Sequence, residues 1–237
     1  MVENLLYKHS VRINDYIAIY IPTVGEIVDN EGDYYAMVSL ITAMPIDLMV
    51  QLDEMGVDFT TINEWELFVL LFNGLKGQNT SLIFKDLDLS KFRIATNTEN
   101  GEIVLLDREH DYVIDRAIYN QIANTLRKIH HLEKNIRKPA NKEAQDYMLK
   151  RARAKQRRNK NKEQKSHLEP IIIAMVNTEQ FKYGFEGVKE LTIYQFNESV
   201  RQIIKKVDYD NRMYGVYAGT ISTKDLSQDD LNWLNNK

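Results

Sequence analysis

The stretch from residue 140 to residue 164 most constrains this chain, because it offers a folded core almost nothing to bury. Met148 and Leu149 are its main apolar side chains, and the rest is polar and rich in strong helix formers. A segment without an apolar face forms an exposed helix or a disordered arm, and it separates the regions on either side. We therefore predict three parts: an N-terminal helical domain with a small β-sheet (1–138), a basic exposed helix or linker (139–166) and a C-terminal helical module (167–237).

The same region carries a strong positive charge, which we call the basic arm. Its nine basic side chains are opposed only by Glu163, and they are Lys150, Arg151, Arg153, Lys155, Arg157, Arg158, Lys160, Lys162 and Lys165. The whole chain has a net charge of −3, so the remainder, with 22 basic and 33 acidic residues, has a net charge of −11. Clustered Lys and Arg neutralise phosphates, but the arm lacks the interleaved aromatics on which single-stranded nucleic acids stack. Three interpretations stay open: a solvated linker, a nucleic-acid-binding arm, and a segment that docks on an acidic protein surface, including the chain's own.

Composition favours a helical protein without cysteine chemistry. The 237 residues include 10 Gly and 4 Pro, too few for a loop-rich β-sandwich, and hydrophobic residues make up 43%. The absence of Cys excludes disulfides, thiolate nucleophiles and Cys-based metal centres. Apolar runs such as 171–176 are too short to span a bilayer, and the first residues lack the apolar region of a signal peptide. We expect a soluble protein that is mainly α, with a small antiparallel β-sheet or hairpin in its N-terminal half (α+β).

The first 76 residues are predicted to form one short strand and three packed helices. Alternation at Ile17, Ile19 and Ile21 indicates the strand, and Pro22 ends it. The helices are expected within residues 33–76.

Helix starts in this region are marked by capping signals. Thr23 or Asp33 is expected to cap the first helix, and Pro45 restarts the chain in the second. Thr61 and Glu64 have the spacing of a capping box before the third.

A period of two begins at Ser81 and predicts a small antiparallel sheet. Asn100-Gly101 is a strong hairpin signal, and it lies between the predicted strands Phe92–Thr96 and Glu102–Leu106. A long helix is then expected from about Asp115, broken by Pro139.

The C-terminal module is predicted to be helical. Pro170 opens a helix whose run 171–176 is apolar all round, so we expect it to be buried. Thr192 and Gln195 form a capping box that starts a second helix, predicted over residues 192–207. Its apolar stripe is Ile193, Phe196, Val200, Ile203, Ile204 and Val207. A short final helix is expected near Ser227, with three side chains docking back: Leu231, Trp233 and Leu234.

Four aromatic residues lie close together between and within these helices. Phe181, Tyr183 and Phe185 follow one another on the connection QFKYGFEG, and Tyr194 lies at the start of the next helix. Aromatic side chains bury a large area at modest entropic cost, so they serve a core or an interface equally well. Core packing is one interpretation. The hypothesis we carry forward is that these four residues form or support a partner surface.

Searches for catalytic and metal-binding patterns fail. GLKGQNT (74–80) places its lysine before the second glycine, where it cannot serve a phosphate loop. DYDNRMYG (208–215) has Arg and Met at positions where a calcium loop needs a ligand and a glycine. His130 and His131 are adjacent, so on a helix they diverge. We predict no enzyme activity, no catalytic residue, no metal site and no cofactor.

Several phrases of the sequence nevertheless resemble a known class of protein. They are AMVNTEQFKYGFEGVKELTIYQFNESVRQI (174–203), YGVYAG (214–219), DLNWL (230–234) and the N-terminal style WELFVLLFNGL, LIFKDLDLSKF and NGEIVLLD. The pattern is similar to that of morphogenesis proteins from the tail-gene cluster of bacteriophages of Gram-positive hosts, including tail and baseplate assembly chaperones. The resemblance spans most of the chain.

The resemblance implies a non-enzymatic role in which the chain binds other phage tail proteins, with self-association as a further option. It implies a location in the host cytoplasm during assembly, or in the virion for a structural component, and no membrane. No functional residue carries over, because the pattern contains no active site. Three functions stay open: an assembly chaperone, a permanent tail or baseplate component, and an accessory protein that binds nucleic acid through residues 150–165.

Overall fold

The computed structural model describes residues 4–98, 100–160, 165–227 and 230–234. The fold is α+β, as predicted: 54% of the chain is helical, and two small antiparallel sheets lie in the N-terminal half. The described helices are α1 (Val24–Val28), α2 (Glu31–Thr42), α3 (Met49–Glu54), α4 (Glu64–Leu75), α5 (Ser81–Phe84), α6 (Arg116–His130), α7 (Lys142–Asn159), α8 (Leu168–Val176), α9 (Phe185–Glu190) and α10 (Ile193–Tyr217). The strands are β1 (Ser10–Arg12), β2 (Ala18–Tyr20), β3 (Arg93–Thr96), β4 (Ile103–Asp107) and β5 (Tyr112–Ile114). Short 3-10 turns occupy Pro45–Leu48, Leu89–Lys91 and Thr223–Asp225.

The predicted hairpin is present, and it gains a strand that the sequence pattern did not indicate. Strands β3 and β4 pair in a register that sets Arg93 opposite Leu106, around a turn in which Gly101 has a φ of +73°. Strand β5 pairs with β4 through a turn in which Asp111 adopts a φ of +57°. That turn lacks Gly, so its sequence gave no hairpin signal. Tyr16 ties the sheet to the N-terminal region, since its hydroxyl donates to the Val113 carbonyl at 2.6 Å.

The predicted helix caps are confirmed in part. Thr23, one of the two residues expected to cap the first helix, begins α1 and forms a capping box with Glu26. The predicted box of Thr61 and Glu64 is wrong, because the Asn63 side chain accepts from the backbone N–H of Glu66 and begins α4 two residues later. The Thr61 hydroxyl instead donates to a carbonyl in the preceding turn.

Helix α6 ends earlier than predicted. His131 adopts a left-handed φ of +52°, and the Leu132 N–H donates to the Arg127 carbonyl at 2.9 Å. Pro139 is therefore not the helix breaker. The chain after α6 stays close to the body, where Lys134 pairs with Glu64 at 2.7 Å.

The main core joins the N-terminal half to the first part of the C-terminal module. Its largest fully buried side chains include Tyr119, Phe72, Phe92 and Phe196, from helices on both sides of the basic arm and from the segment before β3. Backbone hydrogen bonds also cross between the halves: Val24 N–H donates to the Leu191 carbonyl and Ile193 N–H donates to the Pro22 carbonyl, both at 2.8 Å. These hydrogen bonds therefore hold the start of α10 against the N-terminal half.

Helix α7 packs against the body, although its sequence had indicated no face to bury. Gln145 and Leu149 are buried one turn apart, and Leu149 joins a second, smaller core that includes Leu52 of α3. Gln145 donates to the Asp58 carboxylate at 2.9 Å, and Arg153 forms an ion pair with Asp53. Leu149, the neighbouring Met148, which is partly buried against the same core, and the polar anchors on either side hold the helix on the body. Residues Lys142–Asn159 of this region form a helix that is packed on one side and exposed on the other.

Helix α8 is only half buried, which contradicts the prediction that its apolar run is enclosed. Leu168 and Met175 enter the main core, but Ile173 is 48% exposed and Ala174 is exposed. The helix meets the body along one side, so its remaining apolar side chains face solvent.

The C-terminal segment matches its prediction only in part. The described residues 230–234 form turns, where a short helix was expected. Trp233 packs under the Lys206 ammonium at 5.8 Å, whereas Leu231 and Leu234 are exposed. Docking therefore depends on Trp233 and on an ion pair between Asp230 and Arg212.

Candidate functional site

One apolar face runs along α10, and the body covers only its beginning. Phe196 on this face is fully buried, and Val200 is partly buried against the main core. Further along, Ile204 is 62% exposed, Val207 is exposed, and Tyr214 is 74% exposed. Spacings of three, four and seven residues keep these side chains on one side of the helix. We call Ile204, Val207 and Tyr214 the distal stripe.

The chain after α10 folds back along the helix without covering the distal stripe. Its ion pair from Asp230 reaches Arg212, and the Trp233 ring lies beneath Lys206. Lys206 and Arg212 each lie about 80° or more around the helix from every residue of the stripe, as their positions in a 3.6-residue repeat require. The stripe is therefore left open to solvent between two covered sides.

The sequence predicted the start of this helix and the stripe, but it missed the exposure. The predicted helix 192–207 continues ten residues further to Tyr217, because no Gly or Pro with a helix-breaking role intervenes before Gly219, which has a φ of +72°. Ile204 and Val207 belong to the same periodic pattern as the buried Phe196. Periodicity identifies a face, and the position of the body decides which part of that face is covered.

The four aromatic residues of the partner-surface hypothesis fall in different environments. Phe181 is 8% exposed and packs edge-on against Phe196, with ring centroids 6.2 Å apart. Tyr183 and Phe185 are exposed. Tyr194 is half-buried against the His131 ring at 5.7 Å, and burial followed by the nearby Glu198 carboxylate raises its pKa. Tyr183 and Phe185 are accessible to a partner, and Phe181 lies in the core.

The structure places most of the basic arm on α7. Six of its residues lie within the helix and Lys160 is its C-cap, while Lys165 is exposed shortly before α8. Lys162 lies outside the described residues. Arg153 alone pairs with an acidic side chain of the described body, at Asp53.

The adjacent histidines of α6 diverge, as predicted. His130 Nε2 lies 2.8 Å from the Tyr34 hydroxyl, whereas His131 Nε2 lies 3.5 Å from the Glu198 carboxylate. The two imidazole rings therefore contact different side chains.

Burial makes His130 a source of pH-dependent stability. Burial, with a smaller contribution from His131, lowers its pKa from 6.5 to about 4. The unfolded chain takes up this proton near pH 6.5 and the folded chain only near pH 4, so stability is lost as pH falls through that window. We expect His130 to account for a loss of about 2 kcal/mol between pH 7 and pH 5.

Urea unfolding at both pH values checks this expectation. His130→Gln is the matched control, because the amide can still accept from Tyr34 and does not titrate. An equal loss in the wild type and the variant would assign the pH dependence to other groups.

A small cluster of potential metal ligands lies on the turn after β4. Among the described residues, ligand atoms of Asp107, Glu109 and His110 lie within 4.8 Å of one another. Each already has a partner, since His110 Nδ1 lies 2.8 Å from Asp107 and Lys91 pairs with Glu109 at 3.0 Å. These contacts explain why the three side chains lie close together in this turn.

An open cleft of about 740 Å³ lies between α2, the end of α6, α10 and the segment that leads into α8. Its carboxylate, Glu31, accepts hydrogen bonds from the backbone N–H groups of His167 and Leu168. Burial opposes ionisation, but these bonds and Ser166 outweigh it and lower the Glu31 pKa. Glu31 therefore acts as a cap for α8.

Comparison with known proteins points to a phage origin for the part of the chain that carries the distal stripe. Residues 159–237 match the model of the YomV second domain, a phage-derived family of the Bacillus phage SPbeta type, which indicates a phage protein. The matched region is about a third of the chain, begins at the last residue of α7 and includes α8, α9 and α10. No match was found among curated proteins or solved structures. In the described part of the chain, no helix is both long and apolar enough to span a membrane.

Proposed function

We propose that this protein is a non-enzymatic phage assembly factor that binds a tail or baseplate protein through the distal stripe of α10. The observation that carries the proposal is the exposure of Ile204, Val207 and Tyr214 on one helix face within the region that matches a phage-derived family. An exposed apolar face of this kind suits a partner helix that presents apolar residues at the same spacing. The resemblance of the sequence to tail morphogenesis proteins supplies the class of partner.

The size of the stripe supports a transient contact. Residues 204–214 extend about 15 Å along the helix and offer a surface roughly 10 Å wide. This is about 150 Å², far below the roughly 800 Å² per partner that stable complexes bury. A contact of this size forms and separates readily, as an assembly chaperone requires. A permanent tail component would need further surface, for which Tyr183 and Phe185 are available.

The test is pairwise chemical cross-linking with tail and baseplate proteins, because a contact of this size separates during purification. We expect the double variant Ile204→Asp and Val207→Asp to lose its partner by more than tenfold, because two desolvated apolar contacts are replaced by charges. The matched control is Ile136→Asp with Met55→Asp, which adds the same charges at exposed apolar positions away from α10. Equal loss in both variants, or no loss in either, contradicts the proposal.

Mass spectrometry of purified virions distinguishes the two forms of this function. An assembly chaperone is absent from the finished particle, and a permanent component is present in stoichiometric amounts. Sedimentation of the isolated protein tests whether a second copy of this chain occupies the stripe, because the protein would then sediment as a dimer.

A further inference from the structure

The outward face of α7 concentrates positive charge that the body does not neutralise. Arg151 follows the buried Leu149 by two positions, which places it about 200° around the helix. Lys155 and Arg158 follow at spacings of four and three, on the same face. Two more exposed basic residues flank this face: Lys150 and Arg157. We call these five residues the α7 basic face.

These five side chains have no ion-pair partner among the described residues. The ion pairs of α7 within the described chain involve Lys142, which pairs within the helix, and Arg153, which pairs with Asp53 on the packed side. Outside residues 150–165 the chain has a net charge of −11. A polyanion would therefore be attracted to α7 and repelled by most of the remaining surface.

The side-chain types on this face favour nucleic acid over protein. Protein interfaces are depleted in charge at their centre and enriched in aromatic anchors. From residue 150 to residue 160 the chain has no aromatic residue and no aliphatic residue larger than alanine, and Tyr147, one turn earlier, is the exposed aromatic residue of α7. Ala154 lies between Arg151 and Arg158 on the outward side and is exposed, so the backbone can approach a groove closely. Arg is also the side chain that best matches phosphate geometry.

Duplex is favoured over single strand for two reasons. Single-strand binders stack bases on several aromatic side chains, whereas α7 presents one exposed ring, Tyr147, a turn before Arg151. The major groove of B-DNA, about 12 Å wide, admits an α-helix. Helix α7, with 18 residues, is about 27 Å long, enough to cross that groove and reach phosphates on both sides.

We propose that α7 binds double-stranded DNA without sequence preference, through phosphate contacts from Lys150, Arg151, Lys155, Arg157 and Arg158. This activity is separate from the protein contact at the distal stripe. It gives the chain one surface for a protein partner and another for a polyanion.

Fluorescence anisotropy with a labelled 20-base-pair DNA duplex tests the proposal on the full chain. We expect binding at 50 mM salt and a loss of roughly a hundredfold in affinity at 200 mM, as counterion release at three to five phosphates requires. The variant Arg151→Ala, Lys155→Ala and Arg158→Ala should lose more than tenfold at 50 mM. Its slope of log affinity against log salt should be shallower by about 2.7, from three lost phosphate contacts.

The matched control removes the same charge elsewhere, with Lys182→Ala, Lys189→Ala and Lys224→Ala. Circular dichroism of both variants establishes that the helices are intact. The control should bind within twofold of the wild type. Absence of duplex binding at 50 mM salt, or an equal loss in both variants, overturns the proposal.

Three competitors separate the classes of ligand. An RNA duplex and a DNA single strand should compete more weakly than the DNA duplex, because the narrow major groove of RNA excludes a helix and α7 offers a single strand one exposed ring, Tyr147, on which to stack. Polyglutamate at equal charge concentration should compete least. If polyglutamate displaces the duplex equally well, the α7 basic face binds acidic proteins and the DNA assignment fails.

Discussion

Phe181→Ala is expected to lower the free energy of unfolding by about 3 kcal/mol, because it empties a space in the main core. The ring is 8% exposed and contacts the rings of Phe196 and Tyr183, with centroids 6.2 Å and 5.4 Å away. Phe196 is the point at which α10 enters the core, so a cavity beside it also loosens the base of that helix. Equilibrium unfolding in urea, followed by tryptophan fluorescence, measures the change.

Phe185→Ala is the matched control, four residues along the same connection. Its ring is 53% exposed at the first position of α9, so we expect a change in unfolding free energy within about 0.5 kcal/mol. With a change this small, partner binding by the Phe185 variant can be assayed on a folded protein. A loss of stability at Phe185 as large as that at Phe181 would instead place both rings in the core.

The signals that predicted the fold correctly are local in the sequence. Thr192 and Gln195 satisfy each other's backbone donors wherever the helix packs, and Asn100-Gly101 forms its turn from its own backbone preferences. Strand β5 was missed because the turn before it contains Asp111 in a left-handed conformation without any Gly. Sequence reasoning succeeds where a few neighbouring residues determine the structure.

The candidate site depends on distant packing, so the sequence could indicate its residues but not their exposure. Ile204 and Phe196 share one periodic stripe, yet the first is exposed and the second is fully buried. Phe181 and Phe185 share one connection and are separated in the same way. Leu149 shows the reverse case, since it is buried in the second core although most of its helix is polar or charged. In each case the deciding contact comes from a segment far away in the chain.

Arg127→Met is expected to lower the free energy of unfolding by about 3 kcal/mol, although it replaces a charge with an apolar side chain of similar length. Arg127 is buried, and its Nη2 group donates to the Thr42 carbonyl and to the Glu64 carboxylate, both at 2.8 Å. Burial raises the Glu64 pKa, but Lys134 and Arg127 outweigh it, so the net pKa is lowered. The variant leaves the Thr42 carbonyl without this donor and Glu64 with Lys134 as its remaining cation.

A double-mutant cycle separates the ion pair from the packing. Adding Glu64→Gln to Arg127→Met should cost less than the sum of the two single changes, because the second substitution removes a charge that the first has already left without its buried partner. The surface pair of Arg12 and Asp15, at a similar distance of 2.7 Å but with both side chains largely exposed, is the control, and Arg12→Met should cost less than 1 kcal/mol. If Arg127→Met costs as little as Arg12→Met, or if the cycle is additive, the contact between α4 and α6 does not depend on this ion pair. The expected coupling follows from burial, because water screens Arg12 and is excluded from Arg127.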